Sequence, residues 1–166
     1  MRLAQLNALD DEAAGREFLR CCGSSRWAWQ MAAARPFPSA ATMAGTADAV
    51  WAALDPADWL EAFAAHPRIG TGGTGGASGP GAGWSDEEQA SVAGAAEQTR
   101  RRLAERNRDY EARFGYIFIV CATGQTADQM LAQLETRLRH DAGEELGIAA
   151  DEQRKITQLR LRKLIA

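Results

Sequence analysis

Apolar positions along this chain recur mostly at spacings of three and four, a period that predicts helices. Asp10 is placed to cap a segment burying Ala14, Phe18, Leu19 and Cys22, with Gly23 as its stop. Ser25 opens a second helix through Trp27 and Met31, ended by Arg35-Pro36-Phe37-Pro38, because proline restricts itself and its predecessor. Thr46 is expected to cap a third, with Val50, Trp51 and Leu54 on one side. Asp55-Pro56 reads as an N-cap followed by proline at N1, restarting a helix through Trp59, Leu60 and Phe63. Pro67 should stop it at His66.

The longest helix is predicted from Asp86 to about Arg113. Val92, Ala96, Thr99, Leu103, Asn107, Tyr110 and Phe114 form one buried seam, and Gly115 caps it. Next comes the continuous apolar run Tyr116-Ile117-Phe118-Ile119-Val120-Cys121, which periodicity leaves open as strand or buried helix. Thr126 opens a helix burying Met130, Leu131, Leu134 and Leu138, and a final helix carries Leu146, Ala149, Ile156 and Leu164 on one arc. Residues 70–83 hold eight of the sixteen glycines and predict a flexible loop within one domain, not a linker between two. The expected fold is all-α, a compact single-domain multi-helix bundle over residues 1–166.

Composition narrows the function classes. The 166 residues suit one domain with a real core, and 46% hydrophobic with 25% charged residues is ordinary for a globular protein. A net charge of −3 gives no electrostatic case for nucleic acid or an anionic membrane, so a small or anionic ligand would need a few local cations. No stretch approaches the roughly 18–20 apolar residues of a membrane span. Asp10, Asp11 and Glu12 interrupt any leader-like segment near the start. Three cysteines, two of them adjacent, make a poor disulfide framework. A reduced, cytoplasmic protein is the expectation.

Few residues can carry chemistry. His66 and His140 are the only histidines. His66 stands at a predicted helix C-terminus, where the carbonyl end favours a cation, and a histidine that titrates near neutrality can move protons. From position alone, the simple helix cap is the favoured reading. Ser85-x-x-Glu88-Gln89 is a capping box that also sets polar groups in the first helical turn. At 100° per residue Arg160 falls within the apolar arc of the last helix, so it either meets a buried carboxylate or faces a polar cavity. Asn107, on the long seam, predicts an interhelix hydrogen bond. Gly70-x-Gly72-x-x-Gly75 follows Pro67 rather than a strand, which argues against a dinucleotide fold, and two distant histidines without a cysteine cluster argue against zinc.

Several segments together resemble one family. They are Phe18-Leu19-Arg20-Cys21-Cys22-Gly23-Ser24 with Trp27-Ala28, Arg35-Pro36-Phe37, His66-Pro67-Arg68-Ile69-Gly70 and Ser85-x-x-Glu88-Gln89. After those come Asn107-x-x-Tyr110-x-x-Arg113-Phe114-Gly115-x-x-Phe118-Ile119-Val120, Arg137-Leu138, Glu145-Leu146 and Lys155-Ile156 leading to Arg160-Leu161. The chain thereby resembles the 2-oxo-4-hydroxy-4-carboxy-5-ureidoimidazoline (OHCU) decarboxylases. The resemblance implies an all-helical, cofactor-independent and metal-free enzyme of urate breakdown that forms (S)-allantoin. It implies His66 as proton donor, with Glu88 orienting His66 or holding the substrate. Pro67, Ser85, Gln89, Phe118, Ile119 and Val120 would line the site, and Arg160 would contact substrate. The implied partners are OHCU and a second copy in a homodimer. Against the pattern, the Gly-Arg-Ser common in the family reads Gly124-Gln125-Thr126, and Ile117 replaces a frequent proline. The competing readings are a non-catalytic helical ligand-binding domain on the same fold, or an adaptor using Trp51 and Trp59.

Overall fold

The computed structural model of the chain describes residues 1–69 and 96–166. Among these residues there are eight helices and no strand. They are α1 (Leu3–Asn7), α2 (Asp11–Cys21), α3 (Ser25–Ala33), α4 (Ala40–Ala52), α5 (Pro56–Ala64), α6 (Glu97–Phe114), α7 (Ala127–Arg137) and α8 (Ala142–Leu164). No helix among the described residues is long and apolar enough to cross a membrane. Chain contacts group residues 1–65 and 154–166 into one unit, and 66–69 and 96–153 into another.

In the first unit, helix starts follow side-chain caps. Asp10 accepts from the Ala13 N–H and Ser24 from the Trp27 N–H, each satisfying an orphan donor of a first turn. Asp55 with Pro56 at N1 starts α5, as the pattern implied, though the helix ends at Ala64, two residues short of His66, and Leu60 is exposed. Thr46 is not a cap. Ser39, directly after Pro38, accepts from the Thr42 N–H and opens α4 earlier, leaving Thr46 inside the helix with its hydroxyl donating to the Thr42 carbonyl. Phe18 meets Trp27 edge-on at 6.0 Å and Phe37 at 6.2 Å, and the Trp27 indole N–H donates to the Ala47 carbonyl. Arg35 donates to the carbonyls of Leu6 and Leu9, which ties the turn after α3 to the end of α1. Gln158, on α8, donates to Ala44 and Asp48 of α4. Glycine is required at 23, where a Cβ would stand 2.3 Å from that of Ala65.

In the second unit, Ile69, Leu103, Tyr110, Phe118, Val120, Ala122, Ala127, Met130 and Leu134 form the core. Leu103, Asn107 and Tyr110 are the buried residues of α6, so the seam is real over its described part. Its upstream end differs. Ala96 is non-helical at φ −56°, ψ 142° and exposed, so no unbroken helix runs from Asp86 to Arg113. The predicted start at Asp86, with Val92, and the glycine-rich stretch 70–83 lie outside the described residues. Gly115 ends α6 in the left-handed conformation at φ 82°.

The apolar run 116–121 is neither strand nor helix. Side chains instead take three of its backbone groups. Arg137 donates to the Ile119 carbonyl at 2.6 Å, the Cys121 N–H donates to Glu152 at 2.7 Å, and Gln125 donates to the Cys121 carbonyl at 2.9 Å. At Ile119 and Cys121 those bonds do what a partner strand would otherwise do. Thr126 then starts α7 with a reciprocal capping box to Gln129.

Candidate active site

His66 lies just past the Ala65 C-cap of α5 and is half-buried. Its Nε2 lies 2.7 Å from Oε1 of Gln153, a fully buried side chain on α8. The residues after His66 are fixed from two sides. Arg68 makes a two-point pair with Glu111 at 2.8 and 2.7 Å, and the Asn107 amide donates to the Ile69 carbonyl at 3.1 Å. Hydrogen bonding to Arg68 holds the Glu111 carboxyl below its ordinary range. The expected interhelix bond of Asn107 is therefore a bond to the His-Pro-Arg-Ile segment, with a second to its own helix at Leu103.

Phe118, Ile119 and Val120 are all buried. Phe118 packs beneath the Arg137 guanidinium, 4.5 Å from its ring centre. Arg137 is the hub of a buried polar network. It pairs with Glu145, which has no exposed surface and also accepts from the Tyr110 hydroxyl. His140 Nδ1 lies 3.0 Å from the other Glu145 oxygen. Burial, and donation to Glu145, push the Tyr110 hydroxyl far above the ordinary tyrosine range.

Arg160 does turn inward and is 5% exposed, in the first unit. It lies near Cys21 and Cys22, whose thiols burial pushes up, that of Cys22 to about 11; the Arg160 charge opposes both shifts. Ser85, Glu88 and Gln89 fall outside the described residues.

Sequence reasoning passed over Gln153, Glu152 and the Arg137–Glu145–Tyr110 network. The signal for two of them was present. Ala149, Gln153, Ile156 and Arg160 follow one another at spacings of four, three and four, so the arc that exposed Arg160 as anomalous also holds Gln153. Met130, Leu134 and Arg137 repeat the case on α7.

The described residues make an all-α protein in which a buried amide holds a half-buried imidazole. A sequence model of OHCU decarboxylase matches residues 7–162, and the chain belongs to that family. It is 40% identical over 151 residues to the uric acid degradation bifunctional protein TTL of Arabidopsis thaliana, covering 90% of this chain but about half (47%) of that protein. It is 28% identical to a 2-oxo-4-hydroxy-4-carboxy-5-ureidoimidazoline decarboxylase of Haloferax volcanii, over 97% of this chain and 94% of the relative. Among solved structures, an OHCU decarboxylase crystallised in the presence of (S)-allantoin is similar at a TM-score of 0.78 and 38% identity, covering 95% of this chain and 99% of that one.

Proposed function

We propose that this chain decarboxylates OHCU to (S)-allantoin in urate breakdown, without a cofactor. The observation that carries the reading is the half-buried His66, held by Gln153 in a chain that matches the OHCU decarboxylase family along nearly its whole length. Loss of carbon dioxide leaves an electron pair that needs a sink. OHCU provides its own, a ring imine beside the carbon that bears the carboxylate. The protein then has to orient the ring, exclude water and deliver one proton to one face.

His66 is the acid in this reading, and Glu88 orients it or holds the ring. Pro67, Ser85, Gln89 and residues 118–120 line the site. Arg160 grips ureido or ring oxygens at least as much as the carboxylate, because a tight clamp on the departing group would stabilise the ground state.

Replacing the imidazole tests this directly. His66→Asn is expected to abolish turnover of freshly generated OHCU while far-UV circular dichroism stays that of the parent. A variant that turns over at the parental rate removes His66 from the mechanism.

A further inference from the structure

We propose that Gln153 is a positioning residue for the reaction. Its side-chain carbonyl accepts the Nε2–H of His66 and so fixes the tautomer and the aim of the imidazole. The inference rests on the reading of His66 as the acid, and it deepens that reading by naming the group that holds the ring.

The contact is 2.7 Å long and joins residues 87 apart in the chain, with the Gln153 side chain fully buried. A buried amide with its carbonyl on an imidazole has one consequence: that nitrogen must carry hydrogen. An acid also passes through the imidazolium, in which both nitrogens are protonated. A carbonyl acceptor tolerates the neutral and the charged ring alike. The opposite amide orientation, with NH2 toward Nε2, would repel the imidazolium and stop the cycle.

The residue type is informative as well. A neutral acceptor aims the ring without adding a negative charge, whereas a carboxylate would favour the imidazolium and hold the proton more tightly. Neighbouring Glu152 takes the Cys121 N–H, so one turn of α8 fixes both the imidazole and the 116–121 segment. In the step itself, the C–C bond to the carboxylate breaks and its electrons pass into the ring imine. The imine nitrogen takes up a proton as a ring C=C bond forms, the neighbouring hydroxyl then gives up its proton to become the ring carbonyl, and the ureido-bearing carbon takes a proton from His66. The neutral Nε2–H imidazole that remains recovers a proton from water.

The test is nitrogen-15 spectroscopy of histidine-labelled protein beside steady-state kinetics. In the parent, His66 should show a protonated, exchange-protected Nε2 when the ring is neutral. Gln153→Met should lose that protection and lower kcat roughly a hundredfold, the cost of a misplaced catalytic group, with KM unchanged. Gln153→Glu should keep the protected Nε2–H. An unprotonated Nε2 in the neutral ring of the parent overturns the proposal without recourse to any variant. So does a Gln153→Met protein that retains both the protected signal and kcat. If the spectra behave as expected but His66→Asn remains active, Gln153 still holds the ring and it is the role of His66 that fails.

Discussion

Arg137 ties three partners into one buried network. Its guanidinium neutralises the buried Glu145 carboxylate, lies over Phe118 and holds the Ile119 carbonyl. Removing one partner of a buried pair strands the other, so Glu145→Ala should cost about 3–5 kcal/mol in urea unfolding. An Arg137→Met, Glu145→Leu double variant leaves no stranded charge and should be the more stable of the two. It also frees the Ile119 carbonyl, so its turnover should fall even where its stability recovers. Equal stability for the two proteins would mean that burial of the charge is not what makes the network costly to break. Arg137 was legible as an anomaly of the α7 arc, but its partners were not. Tyr110, Glu145 and His140 come from separate elements, and helical period describes only one element at a time.

At the level of elements, capping chemistry decided where helices begin, and apolar spacing decided which face they bury. Asp10 and Thr126 were readable as caps because each directly precedes its helix, and Asp55 as an N-cap position because Pro56 follows it at N1, although its side chain makes no cap bond. Thr46 misled because its residue type suits a cap while Ser39, seven residues earlier, already satisfies the first turn. Ser39→Ala should therefore cost about 1 kcal/mol in thermal or urea unfolding, whereas Thr46→Ala should be neutral or mildly stabilising, given the better helix propensity of alanine. The reverse order would return the cap to Thr46. The run 116–121 could not be read at all from periodicity. Its conformation depends on hydrogen bonds from Arg137, Glu152 and Gln125, which are distant or polar and leave no trace in the apolar pattern. Of the candidate residues, the His-Pro segment and, separately, the inward turn of Arg160 were visible. Gln153 was passed over because an uncharged amide on a buried arc draws less notice than a guanidinium.

For the molecule as a whole, alkaline pH should reveal the buried acids. The Cys22 thiol is raised from 9.0 to about 11 by burial, and Cys21 and Tyr110 shift in the same direction. Between those values the unfolded chain releases a proton that the folded chain retains. Stability is therefore fully present below about pH 9 and declines as pH rises, by up to about 1.4 kcal/mol per pH unit for each thiol. Urea unfolding at pH 8 and pH 10.5 should show the decline, and Cys22→Ala should flatten it. An unchanged slope in that variant would remove Cys22 as a source. The central claim concerns chirality, because uncatalysed decay of OHCU gives racemic allantoin and only a positioned proton donor selects one face. The most direct measurement is the optical rotation of allantoin formed from freshly generated OHCU, with and without this protein. The account predicts faster decay and an excess of the (S) enantiomer when the protein is present. Racemic allantoin formed at the uncatalysed rate would contradict it.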